Sequence, residues 1–142
     1  MIANAKAFAR FLKERGLTVE GDSKIGYTET HQVIVRVGYG KGPLMADRLE
    51  ENNIIVNYQS APDDEAFTTA SCLRMGVQEM TRFGMKEQDF DELADYISQV
   101  ILKDRSLGGE VPQFRKRFTE MKYCLPINEA SPLIRKLLEA LG

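Results

Sequence analysis

Apolar residues return every three or four positions at the start of the chain, so that Ile2, Ala5, Phe8, Ala9 and Leu12 share one helical face. Gly16 stands where a left-handed C-terminal cap belongs, and the spacing predicts a first helix that ends there. The period then drops to two. From Gln32 to Val37, the residues Val33, Val35 and Val37 alternate with Gln32 and Arg36, the pattern of a strand buried mainly on one side. Glycines at 38, 40 and 42 make a turn. Pro43 opens a helix carrying Leu44, Met45, Arg48 and Leu49, which Asn52 and Asn53 close. Ile54, Ile55 and Val56 predict a short strand, Ser60, Pro62, Asp63 and Asp64 a loop, and Leu73 and Met75 a second extended piece.

The helical period is clearest after Gly84, where Phe90, Leu93, Ala94, Ile97, Val100 and Ile101 form one stripe. Glu87, Asp89, Asp91 and Glu92 suit the positive N-terminal end of that helix. Residues 104–109 read as a polar loop, not a domain boundary, and 110–122 as a further helical stretch. A last helix is expected to start with Ser131 as N-cap and Pro132 at its first position, carrying Leu133, Ile134, Leu137, Leu138 and Leu141 before Gly142. Strands interleaved with helices on this scale predict a single α+β domain over residues 1–142. The expected architecture is two-layered: a short mixed or antiparallel sheet of about three to four strands packed against helices. To it are added a long N-terminal helix over 1–16 and a C-terminal helical extension over 103–142.

A chain of 142 residues can bury a continuous core without disulfides or metals. Its 19 basic and 21 acidic residues, a net charge of −2, give no electrostatic reason to expect nucleic acid or an anionic membrane as partner. No apolar run approaches the roughly 20 residues of a membrane span. Cys72 and Cys124 lack metal-ligand or redox spacing and read as reduced thiols, which points to a cytoplasmic home.

Few residues suggest chemistry by themselves. Gly38-Tyr39-Gly40-Lys41-Gly42 lacks the Lys-Ser/Thr pair of a phosphate loop and reads as a turn. His31, the one histidine, has no nucleophile elbow or ligand cluster beside it and reads as structural. Arg115, Lys116 and Arg117 read as a solvated helix face, and Asp63 and Asp64 as turn formers. Arg74 stands out because it interrupts the apolar segment from Leu73 to Val77. An arginine so placed has a carboxylate or phosphate to bind, which is either a ligand or an internal partner such as Asp63 or Glu79. The residues alone leave both readings standing.

Ala70-Ser71-Cys72-Leu73-Arg74-Met75-Gly76, followed by Met80-Thr81-Arg82-Phe83-Gly84, closely resembles the signature of the serine (glycine) hydroxymethyltransferases. That family carries a Ser-Gly-Ile-Arg-x-Gly-Thr-Pro run, then Thr-x-Arg-Gly and an acidic helix. Thr28-Glu29-Thr30-His31 is similar to the family's Thr-x-x-His before a strand, and Ile55-Val56-Asn57 with Pro62-Asp63 falls at the expected spacing. Asn4-Ala5-Lys6-Ala7 looks like the helix that joins the family's large and small domains. The resemblance spans roughly residues 2 to 102 and fades beyond Leu102.

The resemblance implies the small C-terminal domain of a fold-type-I pyridoxal-phosphate enzyme, separated from the large domain that holds the cofactor. Such enzymes move a one-carbon unit between serine and tetrahydrofolate and work as homo-oligomers. It implies that Arg74 grips the carboxylate of the amino-acid substrate, and that the loop region of Asn57 and Gln59 contributes folate contacts. His31, Gly76 and Gly84 carry structural roles in the same frame. The lysine that takes the cofactor lies, in the family, in a Thr-Thr-Thr-His-Lys stretch, and no lysine here follows a histidine. The resemblance therefore implies no catalytic residue in this chain, no cofactor bound by it alone and no activity alone. It also implies that Ile2, Phe8 and Leu12 form a stripe for the large domain, whose exposure would drive self-association. Cys72, Val77-Gln78 and Phe83 depart from the family pattern, leaving the substrate open to another β-hydroxy amino acid cleaved without folate. The rival from another class is a binding or assembly module that kept the fold and lost the chemistry.

Overall fold

The computed structural model describes residues 1–65, 69–122 and 127–140, the last segment as backbone only at 127–129. The element order is α1 (Ile2–Glu14), β1 (Thr18–Val19), β2 (Gln32–Arg36), α2 (Gly42–Glu51), β3 (Asn57–Gln59) and β4 (Cys72–Gly76). Then follow α3 (Gln78–Arg82), α4 (Glu87–Lys103), α5 (Glu110–Arg115) and α6 (Ile127–Ala140). Four strands form one sheet in the order β1-β2-β4-β3, antiparallel throughout. The two-layer α+β architecture is as the sequence pattern predicts.

Alternation sets the register. Val33 and Val35 of β2 pair with Met75 and Leu73 of β4, and all four are buried. A slip by one residue would send this whole apolar set to the other face of the sheet. Ala5, Phe8, Ala9 and Leu12 of α1 and Phe90, Ala94 and Ile97 of α4 close over that face, with the Phe8 and Phe90 rings 5.3 Å apart. Each large side chain so buried contributes on the order of 1.5–3 kcal/mol.

Helix ends are locked by one recurrent device. Gly16, at φ +91°, donates its N–H to the Lys13 carbonyl, while Leu17 donates to Leu12. This pair of bonds satisfies carbonyls that the end of a helix leaves unpaired, and Leu17 and Leu12 meet as buried apolar partners. Gly84, at φ +97°, ends α3 in the same way through Gly84 to Thr81 and Met85 to Met80. Asn53 does so for α2, with φ +63° and the Ile54 N–H on the Leu49 carbonyl. At the start of α4 the Asp89 carboxylate accepts the Lys86 N–H at 2.8 Å.

Several expectations need correction. Phe8 and Leu12 are 2 % and 0 % exposed within the domain's own core, leaving of that stripe only Ile2 open at 46 %, so it offers no surface for self-association. The strand expected at 54–56 lies at Asn57–Gln59 instead, because buried Ile54 completes the α2 terminus and Ile55 projects outward, 83 % exposed. Leu44 also faces out of α2. The helix expected over 110–122 stops at Arg115, where the chain turns so that Phe118 folds back onto Phe114, centroids 5.3 Å apart. The last helix begins at Ile127, which places Ser131 and Pro132 inside it instead of at its start. Its Leu133, Ile134, Leu137 and Leu138 are all more than half exposed. Cys124, Leu141 and Gly142 lie outside the described residues.

Candidate functional site

The candidate site lies on the face of the sheet turned away from the core. Because alternate residues of a strand point to opposite faces, Cys72, Arg74 and Gly76 share this side of β4, while Leu73 and Met75 enter the core. Register places Arg74 between Ile34 of β2 and Asn57 of β3. Cys72 lies between Arg36 and Gln59, and Gly76 opposite Gln32. The structure thus brings three residues singled out in the sequence, Arg74, Asn57 and Gln59, onto one face, Asn57 directly across from Arg74.

The two arginines of this face differ sharply. Arg36 donates from Nε to Glu20 at 2.6 Å, and its Nη2 and Nη1 form a fork on Asp63 at 2.7 and 3.1 Å. These hydrogen bonds, Asp63 first and Glu20 second, push the Arg36 guanidinium further above its usual range, and the Arg36 fork holds the Asp63 carboxyl below its own. Asp64 accepts from the Ser71 hydroxyl at 2.6 Å and from the Ala61 and Ser71 N–H groups, with the Ser71 hydroxyl the main cause of its lowered pKa. Asp63 is thus bound to β2, and Asp64 ties Ala61 to Ser71, the turn-forming part expected of them. Cys72 is fully buried beneath, and burial raises its thiol pKa.

Arg74 is exposed and makes no hydrogen bond or ion pair with any described residue. Asp63 is engaged by Arg36, and Glu79 does not reach Arg74. A planar guanidinium exposed between Ile34 and Asn57 is chemically suited to a planar anion such as a carboxylate. No group of acidic, histidine or cysteine side chains among the described residues could hold a metal ion.

His31 and Gly84, singled out as structural, lie at the ends of elements. His31 is half-buried, and its carbonyl accepts the Val77 N–H at 3.0 Å, tying the start of β2 to the turn after β4. Gly84 is the αL residue that ends α3, and a Cβ there would come within 2.9 Å of Lys122. Arg115 and Arg117 are not simply solvated: Arg115 stacks over Phe83 at 4.6 Å, and Arg117 over Phe114 at 4.5 Å while pairing with Glu92 at 2.8 Å. On the helical side a groove of about 840 Å³ opens among Met80, Phe83, Leu93, Phe114 and Ile55. Arg74, Asn57 and Gln59 do not line it. Sequence reasoning missed Arg36 as the partner of Asp63, a contact between residues 27 positions apart.

An antiparallel sheet backed by helices, with an exposed arginine on its open face that pairs with no described residue, defines a small α+β domain. The serine hydroxymethyltransferase family model matches residues 1–97, and the chain belongs to that family. Its sequence is 45% identical over 132 residues to the serine hydroxymethyltransferase of Pyrobaculum aerophilum, covering 91% of this chain and 30% of that protein. It is 42% identical to the enzyme of the same name from Staphylothermus marinus, covering 97% of this chain and 33% of that one. An L-threonine transaldolase from Pseudomonas fluorescens superposes with a TM-score of 0.79 at 30% identity, over 94% of this chain and 32% of its own. The chain therefore spans about a third of the length of the curated relatives it matches. It corresponds to their C-terminal small domain, and a larger part of those proteins lies outside it.

Proposed function

We propose that this chain is the substrate-carboxylate-binding part of a serine hydroxymethyltransferase, one-carbon transfer between serine and tetrahydrofolate being the activity of the complete enzyme. The observation that carries this is Arg74: exposed, central on the open sheet face and paired with no described residue, while its diagonal neighbour Arg36 is fully engaged. Arg74 would take the amino-acid carboxylate in its fork, and that two-point contact fixes how the bonds at Cα are directed. Lysine, a point charge without the fork, would be a poor replacement. Pyridoxal phosphate, held by the large domain, would supply an electron sink for the bond broken at Cα. In this chain the open face of β4 would turn toward it. Asn57 and Gln59, on the strand beside Arg74, are the proposed folate contacts.

The first helix would join the two domains, residues 103–142 would form a terminal extension, and the complete enzyme would be a cytoplasmic homo-oligomer. No helix among the described residues is long and apolar enough to cross a membrane. Alone, the chain would be inactive. Mixing it with a cofactor-loaded large domain of the family should restore tetrahydrofolate-dependent conversion of serine to glycine. Restoration without any need for Arg74, or activity of the chain by itself, would contradict the proposal.

The transaldolase likeness favours a second reading, in which the complete enzyme cleaves or exchanges a β-hydroxy amino acid without folate. Folate dependence separates the two: turnover of threonine that is indifferent to tetrahydrofolate would select the second.

A further inference from the structure

Gly76 is the next residue after Arg74 on the open face of β4, and it has no side chain to fill its place there. Another residue fills it. A Cβ built on Gly76 would stand 2.9 Å from Nε2 and 3.0 Å from Cδ of Gln78, with Oε1 closer still. The chain makes this return because Val77 is fully buried and its N–H is tied to the His31 carbonyl at 3.0 Å, which turns the backbone sharply at the end of the strand. The Gln78 side chain is thrown back over Gly76. Since side chains two residues apart on a strand share a face, its carboxamide takes the slot roughly 7 Å along β4 from Arg74. Gln32 faces the same slot from β2.

Gln78 is exposed, and its amide makes no hydrogen bond with any described residue. A carboxylate has about four lone-pair sites and an arginine fork takes two, so an amide donor beside the fork can serve a third. A neutral donor suits this slot better than an acid, which would itself occupy the arginine. We propose that Gln78 is a second substrate-binding residue, its carboxamide donating to the carboxylate that Arg74 holds, and that Gly76 is glycine to make room for it. This rests on the reading of Arg74 as the carboxylate ligand.

The test uses the complete enzyme, this chain together with its cofactor-binding domain, and reads both KM for serine and the calorimetric Kd for glycine. Gln78→Ala should raise both by about 3- to 10-fold, the usual scale for one hydrogen bond. Gln78→Glu, nearly identical in shape, should raise them further, because its carboxylate would pair with Arg74 in place of the substrate. Gly76→Ala should act like Gln78→Ala without altering Gln78, since its methyl displaces only the end of a flexible side chain. Circular dichroism and the unfolding midpoint should stay unchanged in all three. Arg74→Lys, measured alongside, separates the two levels of the argument. If Arg74→Lys weakens glycine binding while the Gln78 and Gly76 variants leave it within twofold, the Gln78 assignment is wrong and the Arg74 reading stands. If Arg74→Lys also leaves binding unchanged, both fall.

Discussion

Arg36 and Arg74 stand diagonally across adjacent strands of the same open sheet face, yet their surroundings are opposite. Arg36 is flanked by Glu20 and Asp63 and satisfied on three nitrogens. Arg74 is flanked by Ile34 and Asn57, with Gly76 and Cys72 along its own strand, and no carboxylate of a described residue pairs with it. One arginine fastens a loop to the sheet. The other pairs with no described residue, which is the setting the proposed carboxylate ligand requires.

If that contrast is right, substitutions along β4 should separate structure from binding. Leu73→Ala, one residue before Arg74 but facing the core, should cost about 2–5 kcal/mol of unfolding free energy in a denaturant titration. A much smaller loss would mean that the sheet face is not the centre of the core. Arg36→Ala should lower the unfolding midpoint by less, since its partners are partly exposed. The stability that Asp63 contributes should be fully present above the ordinary aspartate value of 3.8, because pairing with Arg36 lowers its folded pKa. It should be lost as pH falls through that lowered value, and Asp63→Asn should flatten this part of the acid unfolding curve. An acid limb unchanged in Asp63→Asn would show that the pair does not fasten the loop. Arg74→Ala should change stability least, within about 0.5 kcal/mol; a large loss would reveal a hidden structural partner.

What the sequence made legible follows from how local each cause is. The stripes of α1 and α4 and the alternation of β2 are period signals, and all three elements lie where the spacing predicts. Arg74 was conspicuous because a charge inside an apolar extended segment needs a reason. Ile54 misled because its apolar side chain completes the end of α2, so the polar run Asn57–Gln59 forms the strand instead. Ser131 and Pro132 imitate a helix start, although Pro132 falls within α6 and forgoes a backbone hydrogen bond there. The partner of Asp63 and the slot filled by Gln78 depend on which segments meet in space. A single sequence holds no local signal for either.

The central claim is that Arg74 serves the substrate while Arg36 serves the fold, and one paired measurement tests it most directly. In the complete enzyme, kcat/KM for serine is compared between Arg74→Lys and Arg36→Lys, both confirmed folded. Arg74→Lys should lose roughly 2 to 4 kcal/mol of transition-state stabilisation, on the scale of breaking one partner of a close charge pair, while Arg36→Lys stays near the parent. Equal kcat/KM values for the parent and a folded Arg74→Lys enzyme would contradict the account.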